Sequence, residues 1–472
     1  MTARAPWLVA LALAGCHAAS PAPPPPAPPI GPAGWSFVVT AGPGARELSV
    51  EGTLAPGSPE ELSVDEGAEP FVRDLEVDDG GGFHALSPRG TSWFAPGCTA
   101  RGCKLRYRFA LAEASKRIDD VDRGMAMGDV YFAPPSTWLV RPMNPTSRAP
   151  FRLRVITPAG IHFATGLARE ENGTYVADVS DVAESPYSGF GAFHVHSIAA
   201  AGSTVEVAIA PGDYGRDEAS IVRWITEATH DAVSFYGRFP LPRALVMVTP
   251  TEGHGTFGKT LGNGGGAIVM SLGRATTNAE LDDDWVMTHE IVHLALPNLP
   301  RATGWLEEGL STYVEPIARA RRGRLAPERV WADFVQGMPQ GQPAAGDLGL
   351  DHTPTWGRTY WGGAMFCLVA DVEIRKQTAG RRSLDDALKA VLAHGGNIAV
   401  RWPLAEVLRI GDEATGTHVL TELHARHGAR AEKVDLDALF RDLGVRGHGP
   451  RVTFDDHAPL APIRASITGA MR

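Results

Sequence analysis

The chain has 472 residues, which is long enough for two or three domains. Its apolar fraction of 44% and its charged fraction of 21% are ordinary for a globular protein. The formal net charge at pH 7 is -10, and the sequence contains no block of Lys and Arg. Nucleic acid is therefore not expected as a partner.

Residues 1–16 have the layout of a secretory signal. Arg4 precedes an apolar run that is too short to span a bilayer as a mature helix. The run ends in LAGC, which resembles a bacterial lipobox and implies that Cys16 becomes the lipidated first residue. An ordinary signal peptide with a coincidental cysteine is the alternative. Residues 17–34 are rich in Pro and predict an extended linker. We expect an exported protein whose lipid at Cys16 anchors it to a bacterial membrane, more specifically the outer membrane, in the periplasm or at the cell surface.

Residues 35–210 carry short apolar or alternating segments that Gly and Pro separate, such as KLRYRFAL and TVEVAIA. This pattern predicts an antiparallel, β-sandwich-like domain with many turns. Cys98 and Cys103 lie in this domain on either side of a glycine-containing turn, and we expect them to form a disulfide. A metal site is the alternative, but the chain offers no second cysteine pair to complete it.

The pattern changes after residue 210. Residues 211–322 predict a small α/β core with two buried strands, RALVMVTP and GGGAIVMSLG, and with helices over residues 281–295 and 304–322. Residues 323–445 carry further helical segments, and residues 446–472 are expected to form a tail. The predicted fold class is therefore α+β and multidomain, with a helical C-terminal subdomain.

The motif HEIVH lies in the helix predicted over residues 281–295. His289 and His293 are four positions apart and project from one face of that helix, so both imidazoles can reach one Zn²⁺. Glu290 beside them can hold a water molecule and act as general base. A motif this short also occurs by chance, so its meaning depends on the residues around it.

A catalytic zinc site needs a third protein ligand and an open position for water. The next predicted helix offers Glu307, Glu308 and Glu315, because prolines between the two helices allow a sharp reversal. An acidic pair that only stabilises the helix N-terminus is the alternative. Tyr360, in GRTYWGGAMF, is a candidate donor to the oxyanion of the reaction, although a tyrosine on a helix more often serves packing.

HEIVH followed by WLEEGLSTYVE resembles the gluzincin metallopeptidases, in which a Glu-Gly pair on the second helix supplies the third zinc ligand. Glu308 matches the glutamate of that pair. The segments AESPYSGFGAF, TYWGGA and ADVEIRKQTAGRRSLDDAL are similar to segments of the glycyl aminopeptidase family within that clan. The resemblance covers about residues 180–443. It implies a thermolysin-like catalytic domain, with Glu308 as zinc ligand and Tyr360 as the residue that stabilises the oxyanion.

The sequence also departs from this family. Fewer residues separate His293 from Glu308 than in the better-known gluzincin aminopeptidases, and Gly362 replaces a usual lysine. The strand GGGAIVMSL lies where relatives carry a glutamate that holds the free amine of the substrate, and it has no acidic residue. These departures concern which substrate is held, and they leave the activation of water unaffected.

We therefore predict a metallopeptidase that binds one Zn²⁺ through His289, His293 and Glu308 and uses Glu290 and Tyr360 in catalysis. Its substrate is expected to be a peptide or protein, with aminopeptidase action as the narrower prediction. A catalytically inactive binding or scaffold lipoprotein on the same fold is the alternative. Hydrolysis of a non-peptide bond is a third option.

Overall fold

The computed structural model describes residues 34–145, 148–449 and 451–469. The predicted signal, the predicted lipidation site Cys16 and the linker up to residue 33 lie outside the described residues. Within the described ranges, no helix combines the length and the apolar character needed to cross a membrane. Cys98 and Cys103 form a disulfide, and Cys367 is free and buried.

The N-terminal domain consists of strands in which buried and more exposed side chains alternate. In the first strand, for example, Trp35, Phe37 and Val39 are buried, and the residues between them are partly exposed. The strands are β1 (Trp35–Ala41), β2 (Leu48–Leu54), β3 (Glu61–Ser63), β4 (Val72–Asp78), β5 (His84–Ala85), β6 (Pro88–Arg89), β7 (Ser92–Phe94), β8 (Cys103–Phe109), β9 (Met125–Met127), β10 (Val130–Phe132), β11 (Arg141–Pro142), β12 (Pro150–Ile156), β13 (His162–Thr165), β14 (Ala168–Arg169), β15 (Tyr175–Asp178) and β16 (Ser188–Gly191).

These strands form three sheets. An eight-stranded sheet has the order β14-β15-β12-β1-β2-β8-β4-β5, and two four-stranded sheets have the orders β13-β16-β10-β9 and β11-β3-β7-β6. The domain also contains three short helices, α1 (Cys98–Arg101), α2 (Leu111–Ile118) and α3 (Pro135–Trp138). The fully buried Trp138 packs edge-on against Phe163 and Phe190, so aromatic side chains fill the core of this domain.

A separate sheet belongs to the α/β core and has five strands in the order β17-β18-β19-β21-β20. Its strands are β17 (His194–Ala200), β18 (Ser203–Ile209), β19 (Arg243–Thr251), β20 (Thr256–Gly262) and β21 (Gly266–Gly273). β18, β19 and β21 are mutually parallel, whereas β20 runs antiparallel to β21 at the edge of the sheet. The predicted domain border at residue 210 is wrong, because β17 and β18 pair with the core and not with the N-terminal sheets.

Helices α4 (Glu218–Tyr236), α5 (Asn278–Asp283) and α6 (Val286–His293) pack on this sheet, and α7 (Trp305–Arg321) packs on α4 and α6. The single helix predicted over residues 281–295 is in fact interrupted between α5 and α6. Asp284 has an extended backbone there, and its carboxylate accepts hydrogen bonds from the Met287 N–H at 3.0 Å and from Nε1 of Trp224 at 2.9 Å. A new helix therefore starts immediately before the HEIVH motif.

The C-terminal part is mostly helical, as predicted. Its elements are α8 (Pro327–Gly337), α9 (Gly363–Gln377), α10 (Leu384–Ala393), α11 (Leu404–Thr415), α12 (Val419–His427), α13 (Leu436–Asp442), β22 (Val445–His448), β23 (Arg451–Phe454) and α14 (Ala461–Thr468). The segment predicted as a tail contains the last three of these. It packs on the helical part, where Nε of the buried Arg321 donates to the Ile467 carbonyl at 2.9 Å. The described residues together form one compact unit.

Candidate metal centre

Three side chains from α6 and α7 converge on one point. Nε2 of His289 lies 3.3 Å from Oε2 of Glu308, and Nε2 of His293 lies 3.4 Å from the same oxygen. One ligand atom of each residue lies within 4.8 Å of the other two. Across residues 34–145, 148–449 and 451–469, no other group of three His, Cys, Asp or Glu side chains meets this distance.

The packing of α6 fixes the direction of its histidines. Met287 and Ile291 are buried against the five-stranded sheet, and Val292 is buried in the helical core on the other side. The two histidines share the remaining face and point towards α7. The loop between the helices is tied to α7 because the Leu299 N–H donates to Oε1 of Glu307 at 2.7 Å. Glu308 then follows one position later, on the face that meets the histidines.

The glycine after Glu308 is required by the contact between α7 and α9. A Cβ at Gly309 would lie 2.3 Å from the Cα of Gly363, which is far inside van der Waals distance. A Cβ at Gly363 would in turn lie 2.5 Å from the Trp305 carbonyl oxygen. Only glycine at both positions lets the two backbones come this close. Glu308 thus supplies the candidate ligand, and Gly309 allows the close contact with α9 that holds α7 in place.

The charges at the site attract each other. Burial by itself would lower the pKa of His293, but the hydrogen bond and the charge of Glu308 outweigh burial and raise that pKa to about 9. Burial likewise opposes the ionised form of Glu308, but the hydrogen bonds and charges of the two histidines outweigh it and hold the pKa of Glu308 well below its usual range. The site therefore stabilises a positive charge beside the Glu308 carboxylate.

These donors fit a catalytic zinc ion. Two imidazole nitrogens and one carboxylate oxygen are the His₂Glu set that catalytic zinc sites use. Nδ1 of His289 is buried and has no hydrogen-bond partner among the described residues, while Nε2 faces Glu308. The three donors also line an open cavity, which leaves room for a water molecule or a substrate beside them.

Glu290 lies against the edge strand β20. Its carboxylate Oε2 accepts a hydrogen bond from the hydroxyl of Thr260 at 2.6 Å, and Glu290 is almost fully buried. A Cβ at Gly258 would lie 2.5 Å from Cγ of Glu290, so a glycine is needed where the strand passes this side chain. The sequence did not indicate the roles of Thr260 and Gly258. TFGKTLG lacks the alternation of apolar and polar residues that is typical of a half-buried strand, and it resembles part of a glycine-rich loop.

The strand beside the cavity is thus β20 and not GGGAIVMSL. That segment forms β21, which lies inside the sheet between β19 and β20, so the expectation that it borders the substrate is wrong. β20 contains no acidic residue, and the one charged side chain on it, Lys259, contacts Asp122 of the N-terminal domain.

Tyr360 lies in a π-helical turn, Arg358–Gly362, immediately before α9. Such turns are frequent at functional sites. Its ring stacks on that of His289 with centroids 6.3 Å apart and an interplanar angle of 20°. Partial burial and the nearby Glu308 carboxylate raise the pKa of Tyr360 to about 12, so its hydroxyl remains a hydrogen-bond donor at neutral pH.

Two cavities meet at the metal centre. The first has a volume of about 450 Å³ and is lined by Thr256, Phe257, Gly258, Lys259, Thr260, Trp285, Val286, His289, Glu290, His293, Leu296, Asn298, Glu307, Glu308, Tyr360 and Ile398. The second, here called the tryptophan pocket, has a volume of about 410 Å³ and includes Trp285, Trp356, Tyr360 and Trp361 in its lining. Trp285, His289 and Tyr360 line both cavities, so the two cavities adjoin at these residues.

The two other acidic candidates on α7 do not join the metal centre. Glu307 points into the first cavity, and burial raises its pKa. Glu315 pairs with Arg319 at 2.9 Å, and burial raises the pKa of Glu315 to about 7. Of the three glutamates that the sequence offered, Glu308 is therefore the one whose carboxylate meets both histidines.

No protein-family model matches the chain, and no curated protein sequence matches it. Solved structures do. An aminopeptidase N family protein from Idiomarina loihiensis has a TM-score of 0.64 and 15% identity, over 87% of this chain and 78% of that one. An M1 zinc metallopeptidase from Deinococcus radiodurans has a TM-score of 0.51 and 14% identity, over 85% of this chain and 93% of that one. A mutant of the latter, solved with a Tyr-Ser-Ala substrate, has a TM-score of 0.53.

The order of the parts agrees with these structures. An N-terminal β domain precedes an α/β core that carries the His289, His293 and Glu308 cluster, and a helical part follows. At 14–15% identity the likeness concerns the fold. The chain has the fold of the M1 zinc metallopeptidases, a gluzincin fold.

Proposed function

We propose that the protein is a zinc-dependent peptidase. The observation that supports this most directly is that four side chains line one cavity, namely His289, His293, Glu308 and the proposed base Glu290. The ligand atoms of the first three lie close enough together to bind one metal ion. Peptides are the substrate class because a structure of the same fold was solved with a Tyr-Ser-Ala substrate.

Each residue has a defined role in peptide hydrolysis. Zn²⁺ at this site would supply Lewis acidity that acidifies a water molecule and polarises the substrate carbonyl. Glu290 takes a proton from the attacking water and transfers it to the nitrogen of the leaving group. Thr260 holds the Glu290 carboxylate in position through their hydrogen bond. The Tyr360 hydroxyl donates to the carbonyl oxygen as negative charge develops on it.

The proposal is tested with purified protein that lacks residues 1–16. It should contain about one zinc per chain and cleave a peptide library. Glu290→Gln should keep the zinc and lower kcat by about 10²–10⁴. Full activity of that variant would exclude this mechanism. A protein without zinc, and without cleavage after zinc is added, would favour the inactive scaffold instead.

Aminopeptidase action is the narrower proposal, and Glu307 supports it. Oε1 of Glu307 is occupied by the Leu299 N–H, whereas Oε2 accepts no hydrogen bond from the described residues. The carboxylate lines the first cavity beside His293 and could bind the ammonium of a substrate. Peptides with a free N-terminus should then be cleaved, Nα-acetylated ones should not, and Glu307→Gln should raise KM about tenfold for the former. Equal cleavage of free and Nα-acetylated peptides would exclude aminopeptidase action.

We also propose that the protein is exported and anchored through a lipid at Cys16, on the sequence pattern around that residue. In a bacterial host, the wild type should incorporate labelled palmitate and sediment with membranes. Cys16→Ala should do neither. If Cys16→Ala incorporates no label and still sediments with membranes, a lipid at Cys16 is not what attaches the protein, and the proposal is contradicted.

A further inference from the structure

The tryptophan pocket has no role in the mechanism above, although it opens at the metal centre. Among the described residues, only a few large apolar side chains are exposed, and two of them, Trp285 and Trp356, line this pocket with 52% and 61% of their surface accessible. The half-buried Trp361 and the buried Phe334 also contribute to the lining. Exposed tryptophans are costly in water, so their concentration at one cavity indicates a ligand that covers them.

The position of the pocket fits a substrate residue beside the scissile bond. On α7, Thr312 lies one helical turn beyond Glu308, or about 6 Å along the axis, and it lines the pocket. An extended peptide covers this distance in about two residues. The pocket is also joined to the catalytic residues, because Trp356 stacks on Tyr360 at 5.7 Å and Trp285 lies edge-on to His289 at 5.5 Å.

Each arginine in the lining already lies against a carboxylate. Arg319 lies 2.9 Å from the Glu315 carboxylate and 3.5 Å from that of Asp283. Arg329 lies 3.1 Å from Asp333. Neither arginine is therefore free to select an acidic side chain, and the aromatic walls favour a neutral one.

We propose that the tryptophan pocket binds an aromatic or large aliphatic side chain of the substrate residue next to the scissile bond. This inference rests on the proposed peptidase function. A phenylalanine or leucine side chain would cover the exposed faces of Trp285 and Trp356, whereas glycine would leave them in water. Cleavage next to large apolar residues is therefore favoured over cleavage next to glycine.

Two variants test the pocket in opposite ways. Trp356→Ala removes a wall, and Gln336→Trp, at an exposed lining position on α8, fills the space. The wild type should show a higher kcat/KM for a peptide with Phe beside the cleaved bond than for the matched Gly peptide. Both variants should lower this ratio about tenfold or more. Leu348→Ala, which removes an equally exposed apolar side chain that lines neither cavity, should leave the ratio unchanged.

The outcomes separate this inference from the proposed function. A wild type that cleaves peptides without preference for Phe, or a Trp356→Ala variant that loses activity towards both peptides equally, would overturn the pocket assignment alone. Absence of peptide cleavage would overturn the proposed function. The pocket is then still tested by binding, with dissociation constants measured from the quenching of tryptophan fluorescence. Nα-acetylphenylalanine amide should bind the wild type more tightly than Nα-acetylglycine amide does. It should also bind the wild type more tightly than it binds Trp356→Ala. Equal binding in all three cases would overturn it.

Discussion

The hydroxyl of Thr260 donates a hydrogen bond to the carboxylate of Glu290 at 2.6 Å. The two residues lie on different elements, β20 and α6, and no spacing rule connects them. The hydrogen bond fixes the orientation of the base, which has to face the attacking water to accept its proton. Gly258 on the same strand makes the contact possible by leaving space for Glu290. β20 thus acts as a support for the general base.

We expect Thr260→Val to lower kcat about 10- to 100-fold, because loss of a hydrogen bond to a charged group costs about 1.5–3 kcal/mol and Val keeps the volume of Thr. Zinc content should not change, since Thr260 does not contact the metal ligands. Steady-state kinetics and metal analysis measure the two effects. Thr260→Ser keeps the hydroxyl and should restore most of the activity. A Ser variant as inactive as the Val variant would show that packing, and not the hydrogen bond, matters here.

The parts of the site that the sequence could predict are the local ones. His289, Glu290 and His293 follow from spacing on one helix, and Glu308 follows from a motif on the next. Thr260 could not be found, because an edge strand with two glycines, such as TFGKTLG, lacks the alternation of a buried strand. The break at Asp284 was also missed, because it depends on a hydrogen bond from Trp224, which is 60 residues away. Tertiary contacts decide both features.

Gly309→Ala should destabilise the fold and weaken zinc binding together. The new methyl group would lie 2.3 Å from the Cα of Gly363, so α7 must shift relative to α9. Overpacking of this kind costs about 1–3 kcal/mol of unfolding free energy. Chemical denaturation and zinc titration measure the two effects. Gly304→Ala is the matched control, because its Cβ would meet no atom closer than 3.5 Å. Equal effects of the two substitutions would contradict the explanation.

Tyr360→Phe should lower kcat by about 10²–10³ and leave KM and zinc content close to those of the wild type. The hydroxyl is expected to act on the oxyanion, which exists only after water has attacked, so its loss affects the transition state more than substrate binding. The ring of Phe keeps the stacking on His289 and Trp356. A variant that loses zinc, or that changes KM and leaves kcat intact, would assign Tyr360 a structural role.

The metal-free protein should lose stability as the pH rises through about 9. The folded state raises the pKa of His293 from 6.5 to about 9 through Glu308, so the protonated pair stabilises the fold fully below pH 6.5 and loses this contribution above pH 9. The difference amounts to at most about 3 kcal/mol. Denaturant titrations of chelator-treated wild type and Glu308→Gln at pH 6 and pH 9.5 measure it, because the effects of other titrating groups cancel between the two proteins. Zinc binds the unprotonated imidazole, so its stabilising effect should grow over the same pH range. A wild type whose stability advantage over Glu308→Gln is the same at both pH values would show that the two side chains are not coupled.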